Sequence, residues 1–309
     1  MAPLEKDYTQ RSSSGDNKNR PKFRLLGPEI RIPKPQTPII FIDTFFWKFG
    51  IDLDSPLADE LHRACSSGIV KVVLSDVVIG ELTARNLCDK VEKICQDRYC
   101  IAHSMHITAN QIIQALCRFM HRQRVIYLPW DLVTTEPAVI GKGLQGLRDI
   151  VDTIAMELNK LRSSPEAKSK ESLVSGLVHV DREAWRDILK IYGDILCEET
   201  ESPAERYEDF FWTDFFTDLP AIVLSAYLLA YTLYEKELRI NDIVDIFTLA
   251  ELLPYVALYI TDRDLFARFN RVAHDYPEVF FRYQTRCQVI SGLEASTQAL
   301  REFLEGLQT

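Results

Sequence analysis

The stretch PIIFID, residues 38–43, decides the fold. Four apolar side chains in a row, too few for a helix and closed by an acid, read as a strand buried on both faces. Working outward, Ser55-Pro56 is a helix start and Gly68 a stop, so a helix is expected over 56–66. A second strand follows, IVKVVLSD (69–76), with Ser75 placed to cap a helix that carries Glu81. Strand, helix, strand, helix implies a parallel sheet. The expected class is therefore α/β.

The rest of the chain is organised around that unit. Residues 1–37 hold eight basic and four acidic residues and no apolar period, which reads as a disordered basic tail of net +4 on a body of net −13. Residues 86–238 are mostly helical in pattern and too long for a crossover, so they read as an insertion or subdomain in the α/β domain 38–309. VIYLPWD (125–131) looks like a strand within it, 163–172 an exposed loop, and 201–209 a polar break. Sheet character returns at YVALYITD (255–262) and is expected again at PEVFF (277–281).

Bulk properties narrow the classes. The chain has 309 residues, 47% of them hydrophobic, enough for a sizeable core. The most apolar run, LPAIVLSAYLLAYTLY (219–234), is short of the ~20 residues a membrane span needs. The polar start MAPLEKDYTQ does not read as a secretion signal, and seven cysteines do not suggest a disulfide framework. The expectation is a cytoplasmic protein with no membrane partner. A net charge of −9 argues against one that coats nucleic acid, but not against a nuclease built on a carboxylate cluster.

Four expected strand ends carry aspartate: Asp43, Asp76, Asp131 and Asp262. Ligands of open parallel sheets bind beyond those ends, and gathered carboxylates must either protonate or meet a hard cation. Each acid taken singly reads as a helix cap or a turn residue. In RINDIVDIF (239–247), however, Asp242 and Asp245 stand one helical turn apart in an apolar run, where like charges repel. Asp264, two after Asp262, reads either as a further ligand or as a surface partner of Arg263 and Arg268.

The order of these motifs, IIFIDTFFW (39–47), VVLSDVVIGELTAR (72–85), NDIVDI (241–246) and LPYVALYITDRDLF (253–266), resembles the PIN-like nuclease family over about 38–85 and 240–282. The resemblance implies a three-layer fold with a central, mainly parallel sheet, and an RNA-cutting hydrolase, with DNA as the lesser substrate. It implies Mg²⁺ or Mn²⁺ held by Asp43, Glu81, Asp262 and either Asp245 or Asp242, activating water and steadying charge on the phosphate. Glu81 would complete the metal shell or orient the attacking water. RNA processing, a toxin-like role or defence would each fit. Phe45 departs from the family's Asp-Thr-Asn pattern. It also stands where an aspartyl phosphatase would place its second acid. That departure and the long insertion favour the competing reading, a catalytically quiet scaffold binding protein or RNA.

Weaker signals read blandly. The GxGxxG at Gly141, Gly143 and Gly146 lacks a preceding strand. Cys88, Cys95, Cys100, His103 and His106 lack zinc-like spacing. RFMHRQR (118–124) and the face with Arg182, Arg186 and Lys190 read either as grips for phosphates or as solvated helix surface paired with acids. Phe210, Phe211, Phe215 and Phe216 read as packing for the helical region.

Overall fold

A computed structural model describes residues 28–96, 99–102, 106–129, 154–164, 167–283 and 287–308. The central strand β2 (Ile39–Ile42) is buried at every position, as a strand covered on both faces must be. It pairs in parallel with β3 (Lys71–Ser75) on one side and β6 (Leu258–Thr261) on the other. β4 (Tyr99–Ala102) extends the first side and β7 (Gln288–Ser291) the second, giving a five-stranded parallel sheet in the order β4-β3-β2-β6-β7. The chain thus winds outward from β2 in one direction, and later from β6 in the other. The reversal lies between β2 and β6, where Ile42 pairs with Ile260 and the Asp43 amide donates to the Ile260 carbonyl at 3.0 Å.

The first βαβ unit forms as its residues dictate. α1 (Thr44–Phe49) starts on Asp43, α2 (Pro56–Ser66) on Ser55 with Pro56 inside, and α3 (Asp76–Ala84) on Ser75. Each capping oxygen accepts from a first-turn amide that would otherwise lack a partner. Gly68 follows α2 at φ +72°, a left-handed turn that favours glycine. α4 (Cys88–Cys95) leads to β4.

The sheet therefore reaches into the stretch the sequence assigns to a helical insertion. YCIA is too short and too mixed in polarity to announce a strand, yet it pairs with β3 from Tyr99 to Ala102. The helices beyond it are α5 (His106–Met120), a helix over 154–162 (α6), α7 (Lys170–Ile188), α8 (Lys190–Thr200), α9 (Ala204–Phe210), α10 (Asp214–Thr217), α11 (Pro220–Glu235) and α12 (Ile240–Leu252). α7 begins inside the expected loop 163–172, with Ser169 as its cap. α11 is the apolar run noted above, and it is apolar all round because it is buried all round, from Pro220 to Leu233. It packs on α5, α7 and α12, and on α13 (Arg263–Asp275) and α14 (Pro277–Tyr283). α15 (Leu293–Gln308) packs on α1 and α2, and these in turn on α3 and α4.

Three further expectations are corrected. PEVFF is the start of α14, since Pro277 fixes a helical φ at its first position and Glu278 suits a first turn. Part of the supposed tail is ordered: β1 (Glu29–Arg31) pairs in parallel with β5 (Val125–Tyr127). β5 is the expected strand at 125–131, but it joins β1 in a two-stranded sheet rather than the main one. Residues 1–27, the GxGxxG at 141–146, His103 and Asp131 lie outside the described residues. Among those described, no helix is long and apolar enough to cross a membrane.

Ile40 is fully buried at the middle of the sheet. Ile40→Ala is expected to lower unfolding free energy by about 2–5 kcal/mol in urea titrations. An unchanged midpoint would contradict the central place of β2.

Candidate active site

The acids at the reversal point face one cleft. Asp43, at the end of β2, and Asp262, at the end of β6, are neighbours because their strands are paired. Glu81 comes from α3 and Asp245 from α12. All four line a cleft of about 210 Å³. Helical periodicity explains which residues accompany them. Asn241, Asp245 and Thr248 form one stripe of α12, and Val77, Val78, Glu81 and Arg85 one side of α3 and its cap. Phe41 and Tyr259, stacked at 4.3 Å, contribute apolar lining from the two central strands.

Capping and site-building turn out to be compatible roles for the strand-end acids. Asp43 Oδ1 accepts from the Phe45 amide at 2.9 Å, and Asp262 Oδ1 from the Leu265 amide at 2.8 Å. Each cap fixes a side chain at a helix start while the second oxygen accepts no hydrogen bond from the described residues. None of the four cleft acids forms an ion pair among the described residues.

The electrostatic consequence is strong. Burial pushes the Asp43 carboxyl from 3.8 up to about 7, helped by the charges of Asp262 and Glu81 and opposed by the Phe45 amide. Burial also drives Asp245 well above the usual carboxylate range, with Asp43, Asp262, Glu81 and Asp242 adding repulsion. Tyr259 is raised by burial first, then by Asp43, Asp245, Cys287 and Asp262. Asp43 and Asp245 thus feel the neighbouring charges across the cleft, while Glu81 stands at its exposed side.

Asp242 has a different environment. It does not line the cleft. Its Oδ1 meets Lys236 Nζ at 2.8 Å and Arg268 at 2.6 Å, and its Oδ2 accepts from the Arg239 amide at 3.1 Å. Burial raises its pKa, but these donors outweigh it and hold the carboxyl below its ordinary value. Of the Asp242 and Asp245 pair, only Asp245 lines the cleft, so Asp242 is corrected to a structural ion pair. Asp76 is likewise absent from the lining; its Oδ1 accepts from the Val77 amide at 2.9 Å. Asp264 is exposed in the first turn of α13, and the Arg268 expected beside it serves Asp242.

The lining also holds groups the sequence reading did not single out: Thr44, Lys48, Phe49, Arg85, Asn241 and Thr248. Projecting α1 and α3 as helices from Asp43 and Ser75 would have found most of them. The Thr44 hydroxyl is buried with no hydrogen-bond partner among the described residues, an unmet polar group beside Asp43.

An oxygen-only donor set of this kind fits a hard divalent cation. Among the described residues, no three acid, imidazole or thiolate side chains are gathered closely enough to hold an ion as they stand. Mg²⁺ keeps several of its waters, so it does not require all four carboxylates in direct contact.

A comparison with family models, curated proteins and solved structures found no match to this chain.

The other candidates have structural uses. Arg182 donates to the Phe211 carbonyl at 2.7 Å and stacks 4.2 Å from Trp212, while Arg186 pairs with Glu183 at 2.8 Å. Phe210, Phe211 and Phe216 are buried and pack edge to face or tilted on one another.

Two stability measurements test this division. Asp242→Ala leaves the buried Arg268 uncompensated and is expected to cost about 3–5 kcal/mol, whereas Asp245→Asn removes repulsion and should raise the melting temperature of the metal-free protein at pH 8. Equal losses in both variants would contradict it.

A pH titration tests Asp43. Its folded pKa is raised, so the folded state holds the proton more tightly than the unfolded chain. That stabilising contribution is complete below about pH 4 and lost as pH climbs to about 7. Melting temperatures of chelated protein should fall over that window, with a shallower fall in Asp43→Asn, where asparagine still caps α1.

Proposed function

We propose that the chain is a divalent-metal-dependent phosphodiesterase of the PIN-like kind, cleaving RNA in preference to DNA. One observation carries the reading: acids from β2, α3, α12 and β6 line a single cleft at the point where strand order reverses. Asp43, Asp245 and Asp262 would hold Mg²⁺ or Mn²⁺, and Glu81 would complete the set. When bound, the ion supplies positive charge for the attacked phosphate and acidity for the attacking water.

The chain's own residues account for the rest. The caps on Asp43 and Asp262 hold both acids at the cleft without tying up the second oxygen. Asp43 and Asp245 exchange protons for a cation, so affinity rises with pH through the range in which Asp43 ionises. Phe41 and Tyr259 line the cleft with rings, which limits water around the reacting phosphate. Lys48 and Arg85 supply positive charge suited to the flanking phosphates.

A second reading, a quiet scaffold that binds RNA or protein, draws on two facts: Phe45 occupies part of the cleft wall, and the donors are not already gathered around one point. Labelled single-stranded RNA and DNA incubated with Mn²⁺ or with chelator separate the two. The nuclease reading expects chelator-sensitive RNA cleavage that drops on the order of a hundredfold or more in Asp43→Asn. RNA bound but left intact by the wild type would favour the scaffold. Cleavage unchanged in Asp43→Asn would place the chemistry elsewhere.

A further inference from the structure

The cleft's rim combines features that its carboxylates do not explain. Phe49 is 63% exposed, while its neighbours Phe46 and Trp47 in α1 are fully buried. Those anchors and the Asp43 cap fix α1, and the chain leaves it at Gly50, where even a Cβ would lie 2.2 Å from the Phe46 ring. The Phe49 ring is therefore held on a rigid mount rather than a loop. An isolated exposed ring needs no explanation. This one lines the acid cleft beside Phe45 and has the Lys48 ammonium 4.5 Å from its centroid.

The cations are also unspent. Lys48 and Arg85 line a cleft with four acids, yet among the described residues neither forms an ion pair. Ring, ammonium and guanidinium around a carboxylate pocket match the parts of a nucleotide: a flat base, and phosphates on either side of the one the acids address.

Resting on the nuclease reading above, we propose that Phe49 and Lys48 form a platform on which one unpaired base of the substrate stacks, setting the position of the cut. Lys48 adds a positive charge next to the stacked base, and Arg85, which caps the end of α3 at the same cleft, grips the neighbouring phosphate. A base inside a duplex has no free face to offer the ring, so the platform selects for single strands at that position.

The test is a scan of a short single-stranded RNA in which each nucleotide in turn is made abasic, cleaved with Mn²⁺ by wild type, Phe49→Leu and Phe49→Trp. Stacking on an aromatic side chain predicts that one position near the cut raises wild-type KM on the order of tenfold or more, with a much smaller change in kcat. Phe49→Leu should show that raised KM on intact RNA and no further loss at the abasic position; Phe49→Trp should restore both. Melting temperatures check that the variants fold. If Phe49→Leu does not, the wild-type scan still decides, since it must contain a sensitive position. Wild type cleaving with no sensitive position, or with duplex cut as fast as single strands, overturns the platform alone. Wild type that cleaves no RNA sinks the nuclease reading, and the platform with it.

Discussion

Repulsion among carboxylates gathered in one cleft is the constraint around which this molecule is arranged. Asp43, Glu81, Asp245 and Asp262 come from four separate elements and face one cleft, where none of them forms an ion pair among the described residues. Holding them there is unfavourable unless a proton or an external cation compensates. The fold applies the force needed. β2 and β6 are paired at the reversal of strand order, so their terminal acids cannot separate, and each is tied to the helix it begins. Fully buried Ile39, Ile40, Ile42 and Ile260 anchor those strands, each side chain contributing about 1.5–3 kcal/mol on burial.

Asp242 shows the alternative outcome for an acid in the same helix. Three residues from Asp245, it is met by Lys236, Arg268 and a backbone amide, and its charge is thereby settled within the protein. The contrast gives the site its definition. A carboxylate with a cation of its own supports the fold, while one denied such a partner is left open to the proposed metal ion. Lys48 and Arg85 extend the pattern, since they line the cleft without neutralising its acids.

What was legible in the sequence was whatever local chemistry specifies. PIIFID, the Ser55-Pro56 helix and the Ser75 cap could be read because burial, proline and capping act over a few residues. β4, β7 and β1 could not. Each is three or four residues long and defined by its pairing partner more than by its own pattern, and Pro277 begins a helix where PEVFF suggested a strand. Among the acids, convergence was inferable from strand ends, but the roles of Asp242 and Asp245 were not separable. Both lie on one helix face, and the deciding partner, Arg268, sits on a helix after the next strand. Phe49 and Arg85 went unnoticed because a rim residue has no signature until the cleft it borders is known.

The proposed function requires those four acids to close around a divalent ion. A crystal structure of the protein soaked in Mn²⁺, with anomalous scattering recorded, examines this most directly. The account predicts a manganese peak in the cleft bounded by Asp43, Asp245 and Asp262, lost in Asp43→Asn. A cleft without manganese at saturating concentration, its carboxylates still apart, would contradict it.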